Sequence, residues 1–214
     1  IDSHGRVWRI LCLPICWTHA SSPAISVLEP RLDMKLALIT PKGIYFSVDS
    51  AVSSFFKSTL SANAHHPLAP KYAYWSGGCL GLLIVAALTP PEFEIDFIDE
   101  NYEEIVFDKD YDLVALSAMT QQATRAYEIA DEFRKRAIKV VIGGIHPTVM
   151  PEEAKEHADA VIVGEAENTW PEFINDFIKK EIRPYYKSTS SVDLTQSPRP
   201  RYDLLKKYDY RMIW

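Results

Sequence analysis

From Met34 onward the chain alternates short β-branched runs with amphipathic helical segments, and this alternation limits the possible folds more than any other feature. The runs are Lys35 to Thr40, Glu94 to Ile98, Leu113 to Ser117, Lys139 to Ile142 and Ala160 to Val163, each rich in Val, Ile, Leu or Phe. Between the third and fourth, Ala123, Ala126, Tyr127, Ala130, Phe133 and Ala137 recur at helical spacing, with Arg125, Glu128, Asp131, Glu132, Arg134 and Lys135 mostly on the other face. Trp170, Phe173, Ile174, Phe177 and Ile178 repeat the pattern after the fifth run, and Pro151-Glu152-Glu153 reads as the first turn of a further helix. Strands alternating with helices build a parallel sheet with helices on its faces. The expected architecture is therefore α/β, a doubly wound sheet of five parallel strands spanning residues 34–183.

The flanks read differently. Residues 1–33 hold no sustained period of either kind and are expected to be a leader, non-native or disordered. A secretory signal is the competing reading, with Arg6 and Arg9 ahead of the apolar stretch Ile10 to Trp17, which Pro14 interrupts. Pro41 to Ser76 reads as one long loop over the upper edge of the sheet, and Gly77-Gly78-Cys79 as the small-residue start of an apolar helix stopped by Thr89-Pro90-Pro91. After Lys180 the periodicity lapses, and residues 184–214 read as a linker followed by the start of another domain, Tyr208 to Trp214 being a strand-like beginning without its continuation.

A formal net charge of -6 gives no basic field for phosphate backbones, which argues against a nucleic-acid partner. Three cysteines, two near the start and Cys79 in the body, are too few and too uneven for a disulfide framework, and point to a reducing, cytoplasmic setting. No stretch approaches the roughly 20 apolar residues of a membrane span.

Parallel strands end on one side, and open α/β sheets bind ligands beyond those ends. Four such ends carry ligand-type residues: Thr40-Pro41-Lys42-Gly43, Ser117-Ala118-Met119-Thr120, Gly143-Gly144-Ile145-His146-Pro147-Thr148 and Gly164-Glu165. The hydroxyls of Ser117, Thr120 and Thr148, with N–H groups freed at Gly143 and Gly144, suit a ligand bearing phosphate or amides. The bland alternatives are ordinary strand-to-helix turns, a loop-shaping role for His146, and a helix-dipole role for Glu165 and Glu167. His65-His66 lacks the Cys or acid company of a metal site, and no residue is assigned a catalytic or metal-binding role.

Ser117, followed at its spacing by Gly143-Gly144, resembles the cobalamin-binding Rossmann-like domain, in which the serine and the Gly pair line the cleft that takes the nucleotide tail. Gly143-Gly144-Ile145-His146-Pro147-Thr148, Pro151-Glu152-Glu153 and Val161-Ile162-Val163-Gly164-Glu165-Ala166-Glu167 together look like the amino-terminal domain of cobalamin-dependent radical S-adenosylmethionine enzymes. Pro198-Arg199-Pro200-Arg201-Tyr202-Asp203-Leu204-Leu205 is similar to the connector before their catalytic barrel. The resemblance implies a flavodoxin-like (Rossmann-like) fold and cobalamin as ligand. It also implies a parent that carries a 4Fe-4S cluster and S-adenosylmethionine in its own radical domain. The implied cofactor-binding residues are Thr40, Pro41, Lys42, Gly43, Ser117, Met119, Thr120, Gly143, Gly144, His146, Pro147, Thr148, Gly164 and Glu165.

Two departures qualify the match. Where many cobalamin domains carry Asp-x-His-x-x-Gly, this chain has Thr40-Pro41-Lys42-Gly43-Ile44-Tyr45, so no histidine supplies a lower axial ligand there. The Cys-x-x-x-Cys-x-x-Cys of the cluster is absent, and Cys12-Leu13-Pro14-Ile15-Cys16 only mimics its beginning. This chain alone is expected to have no turnover. Three rival readings remain: a phosphoacceptor receiver, which needs acids where Thr40 and Ser117 stand, an NAD-type domain, which needs Gly-x-Gly-x-x-Gly, and a degenerate domain that keeps the fold as an interaction surface.

Overall fold

The computed structural model describes residues 33–43, 45–47, 72–74, 79–188 and 191–207. The expected leader up to residue 32, with the Cys12–Cys16 pair, and His65-His66, Gly77-Gly78 and Tyr208 to Trp214 lie outside these residues. The elements run β1 (Met34–Thr40), β2 (Tyr45–Ser47), β3 (Tyr72–Tyr74), α1 (Leu80–Leu88), β4 (Phe93–Asp99), β5 (Leu113–Ser117), α2 (Ala123–Lys135), β6 (Lys139–Gly143), α3 (Ile145–Val149), α4 (Pro151–His157), β7 (Ala160–Val163), α5 (Ala166–Lys179) and β8 (Tyr185–Lys187). The main sheet has the order β4-β1-β5-β6-β7-β8, every pair parallel. All five expected strands are present, within a residue or so of their expected ends.

The sheet has six strands, one more than the five expected. The sixth, β8, lies in the segment read as a linker and pairs with β7 through Val161 and Tyr185, Ile162 and Tyr186, and Val163 and Lys187. Three residues flanked by polar chain give no usable period. Tertiary contacts hold the strand instead: Tyr186 is buried, its ring stands edge-on to Phe173 at 5.3 Å, and its hydroxyl donates to Asp176 at 2.9 Å. The long segment after β1 also departs from a plain loop, because β2 and β3 within it pair as an antiparallel ribbon.

Strand alternation sends successive side chains to opposite faces of the sheet. Leu36, Leu38, Leu113, Ala115, Val141 and Ile162 point to one face, where α1 and α5 cover them with Leu82, Leu83, Val85, Trp170, Phe173 and Ile174. Ala37, Ile39, Val114, Leu116, Val140, Ile142 and Val161 point to the other, under Ala123, Tyr127, Ile129, Ala130 and Phe133 of α2 and Ala154 of α4. The sheet is thus doubly wound, and its strand order from β4 to β7 is that of the flavodoxin-like class. Leu205, from the segment beyond β8, is buried in the first of these cores, and Arg201 N–H donates to Leu83 O at 3.1 Å.

Candidate functional site

Ser117 and Gly143 are register partners at the carboxyl ends of β5 and β6, so the two following loops leave the sheet side by side. Backbone bonds knit them together, Ala118 N–H to Gly143 O at 3.0 Å and His146 N–H to Ala118 O at 3.1 Å. Gly144 turns between them at φ 102 and ψ -171, a conformation essentially confined to glycine. A Cβ there would stand 2.9 Å from Ala118 N, Ala118 O and Ser117 Oγ, so the close approach of the loops requires the missing side chain.

Thr148 ties this loop to the next strand end. Its hydroxyl donates to Gly144 O at 2.8 Å and accepts from Gly164 N–H at 2.9 Å, and Gly164 itself has φ 88. The loops after β6 and β7 are therefore tied together by one side chain.

Beneath these loops, on the α1 and α5 face, lies a cavity of ≈ 160 Å³. Gly81, Leu82, Ile84 and Val85 of α1 form one wall, and Ala166 and Trp170 of α5 the other, with Glu167 in the first turn of α5 at the mouth. Its floor is Ala115, Ser117, Val141, Gly143 and Ile162, with Gly144, Gly164 and Glu165 at the rim. Two of the glycines here are not demanded by the fold. A Cβ at Gly81 would meet nothing within 4 Å, and one at Gly143 would make only ordinary contact, 3.5 Å from Ile162 Cβ. Glycine inside a helix costs about 0.5–1 kcal/mol against alanine, so Gly81 trades stability for space along the cavity wall.

Of the residues singled out from sequence, Ser117, Gly143, Gly144, Gly164 and Glu165 meet around this cavity. The loop Thr40 to Gly43 lies outside its lining and is pinned by neighbouring side chains. Lys42 N–H donates to Glu100 Oε2 and Gly43 N–H to Asn101 Oδ1, both at 3.0 Å, and Pro41 O accepts from Gln122 Nε2 at 2.6 Å. Glu100 in turn takes Arg125 Nε at 2.8 Å, which stabilises the guanidinium charge and raises its pKa further. The Thr40 hydroxyl is buried without a hydrogen bond among the described residues. Met119 N–H is taken by Gln122 Oε1 at 3.0 Å, and Thr120 is exposed beside it.

His146 and Pro147 are buried on the opposite face of the sheet. His146 Nε2 lies 3.0 Å from the Tyr127 hydroxyl and 3.5 Å from Glu153 Oε1. The other described imidazole, His157, pairs with Asp131 at 2.9 Å, so neither lines the cavity. Cys79, at the N-cap of α1, has its thiol pushed up by burial. Among the described residues no group of three or more His, Cys, Asp or Glu could hold a metal ion, and no helix is long and apolar enough to cross a membrane.

Sequence reasoning missed the α1 and α5 walls, and Glu100, Asn101 and Gln122. The first were read only as helix faces toward the core. The second are isolated polar residues whose partners lie far along the chain, a relation that no local spacing encodes.

Comparison with known proteins adds one family match and three relatives. Residues 46–174 match the family model described as the B12 binding domain. The chain is 46% identical over 110 residues, 51% of its length, to a bacteriochlorophyllide d C-8(2)-methyltransferase of Chlorobaculum tepidum, of which it covers 24%. It is 33% identical over 125 residues, 58% of its length, to a bacteriochlorophyllide d C-12(1)-methyltransferase of the same organism, covering 27% of that protein. An uncharacterized methyltransferase of Synechocystis is 31% identical over 131 residues, 59% of this chain and 24% of that one. The chain thus spans about a quarter of the length of these relatives.

Proposed function

Because the chain belongs to the B12-binding domain family, we propose that it holds cobalamin over the carboxyl edge of its sheet, with the nucleotide tail in the cavity between α1 and α5. The observation that carries this reading is the pair of cavity-lining glycines, Gly81 and Gly143, at positions where a side chain would fit the protein but fill the cavity. The mouth of the cavity opens between glycine turns, where a ligand reaches the backbone without meeting a Cβ. Ser117 supplies a hydroxyl on the floor, and Thr148 holds the two rim loops together.

Bound cobalamin supplies a cobalt centre able to carry a methyl group, and the protein's part is to position it. With Thr40-Pro41-Lys42-Gly43 in place of the histidine loop, and His146 engaged by Tyr127 on the far face, the cofactor is held without an imidazole from the described residues. Glu100, Asn101 and Gln122 hold the backbone of that loop by hydrogen bonds, and Lys42 is exposed on it.

The parent reaction is read as methyl transfer by a longer cobalamin-dependent radical enzyme with its own 4Fe-4S cluster and S-adenosylmethionine. The methyltransferase names of relatives about twice as long as this chain support this, as does the similarity of Pro198 to Leu205 to the connector of such enzymes. In that reading the radical domain is the partner of this one, and the setting is cytoplasmic.

The test is an absorption titration with hydroxocobalamin and methylcobalamin. Saturable binding with a shift to the base-off spectrum is expected, because a tail lodged in the cavity is no longer on cobalt. Gly143→Leu should abolish the shift while leaving the circular dichroism of the sheet intact. No shift in this chain or in the full-length protein would overturn the reading.

A further inference from the structure

We propose that the cavity between α1 and α5 discriminates among cobamides by the base of the nucleotide tail, accepting a benzimidazole and rejecting a purine. This rests on the reading that the tail enters this cavity. In both tail types the sugar is attached through the five-membered ring, so the fused six-membered ring goes in first and deepest. In dimethylbenzimidazole that ring carries two methyl groups and no heteroatom. In adenine it carries two ring nitrogens and an exocyclic amine.

The described walls offer the deeper ring nothing polar. Leu82, Ile84, Val85, Val141 and Ile162 are aliphatic, and Trp170 is the one wall residue with a buried N–H. That donor is already used: Trp170 Nε1 gives its proton to Thr89 Oγ1 at 3.0 Å, and Thr89 donates onward to Val85 O at 2.7 Å. The indole therefore presents only carbon to a guest. Polar groups are confined to the floor near the strand ends and to the rim, at Ser117, Glu165 and Glu167, the last of which accepts from Ser197 Oγ at 3.1 Å. Ser117 sits where it can meet the five-membered ring, whose free nitrogen is common to both bases. The size agrees, since an apolar cavity of about 150 Å³ accepts a benzene-sized ring and this one has ≈ 160 Å³ and an open mouth for the rest of the base.

Each polar atom of a buried purine ring would lose water without gaining a partner. We expect the adenine-tailed cobamide to bind this chain at least about tenfold more weakly than cobalamin, the loss that roughly one unpaired buried polar group causes. Cobinamide, which has no tail, should be weaker than cobalamin as well.

The experiment is equilibrium dialysis of the chain against cobalamin, the adenine-tailed cobamide and cobinamide, with bound corrinoid read by absorbance. Cobalamin bound tightest by tenfold or more supports the proposal. Equal affinity for the two tailed forms overturns the selection while leaving cobalamin binding intact, and cobinamide equal to cobalamin overturns it by putting the tail outside the cavity. Failure of cobalamin itself to bind would instead sink the functional reading. A second arm uses Val85→Thr, which puts a hydroxyl in the helix wall able to donate to the carbonyl four residues back and accept from the purine amine. It should narrow the gap between the tailed forms, and an unchanged gap in a folded variant would count against the wall as the selecting element.

Discussion

Both faces of this sheet are covered by helices, yet at the carboxyl ends of the strands the α2 and α4 face is closed among the described residues and the α1 and α5 face keeps an apolar cavity. The polar hollow between Phe107 to Asp112 and Arg136 to Ile138 lies at the other ends. Under α2 and α4 each polar group near the core has a partner of its own: Tyr127 stacks on His157 at 4.3 Å and meets His146 at 3.0 Å, while His157 reaches Asp131 at 2.9 Å. Phe133 fills the centre, fully buried, with Phe107 5.0 Å away. Under α1 and α5 the lining nearest the strand ends is thinned by Gly81 and Gly143, and the space that remains is walled by carbon, with polar groups only at Ser117, Glu165 and Glu167 among the described side chains. Close packing is the norm inside proteins, so the unfilled space on this face is the feature on which the proposed seat for a guest rests.

If this contrast is right, damage to the closed face should be felt as stability and damage to the open face as affinity. The largest effect is expected from Phe133→Ala, which should cost about 3–5 kcal/mol in denaturant unfolding. Cobalamin affinity of the molecules that stay folded should be unchanged, and a matching loss of affinity would break the contrast. Gly144→Ala comes next, because it joins both worlds. The φ of 102 and the 2.9 Å approaches to Ala118 and Ser117 should cost at least about 1–3 kcal/mol, with weaker cobalamin binding as the two loops part.

A matched pair sharpens the comparison further. Ile142 is fully buried on the closed face and Ile162 forms part of the cavity floor. Ile→Val typically costs about 0.5–1.5 kcal/mol. Ile142→Val should fall at the upper end and leave cobalamin binding alone, whereas Ile162→Val, which removes contacts on a side already open, should fall at the lower end and change affinity.

How much of this was legible in the sequence follows from the range over which each feature is encoded. Strand and helix identity lives in local periodicity, and the runs at Leu113 to Ser117 and Ala160 to Val163 were found with their observed bounds. Gly143-Gly144 was equally visible as a turn, although only coordinates separate Gly144, which the backbone needs, from Gly143, which it does not. The strand β8 has too few residues to show a period, and its stability comes from Tyr186 meeting Phe173 and Asp176. The cavity is a relation between α1 and α5, distant in sequence, and His146, read from its neighbours in the chain, sits in α3 with its ring against Tyr127 and outside the cavity lining.

The smallest predicted effect tests that last point. Burial, helped by the Glu153 carboxylate, pushes the Tyr127 hydroxyl up from 10.0 to about 12. The neutral phenol is thus favoured in the folded state, so this contribution to stability is complete below pH 10 and is lost as pH rises from there through about 12. Tyr127→Phe removes the bond to His146 and should cost about 0.5–1.5 kcal/mol at neutral pH. Above pH 10 the variant should lose stability less steeply than the parent, closing part of the gap between them. Parallel pH profiles would mean that Tyr127 is not held as a buried phenol, and a change in cobalamin affinity would mean that His146 communicates with the open face after all. Neither is expected, because the sheet stands between Tyr127 and the cavity, and His146 is joined to the rim through backbone that Ala118 and Gly144 already hold.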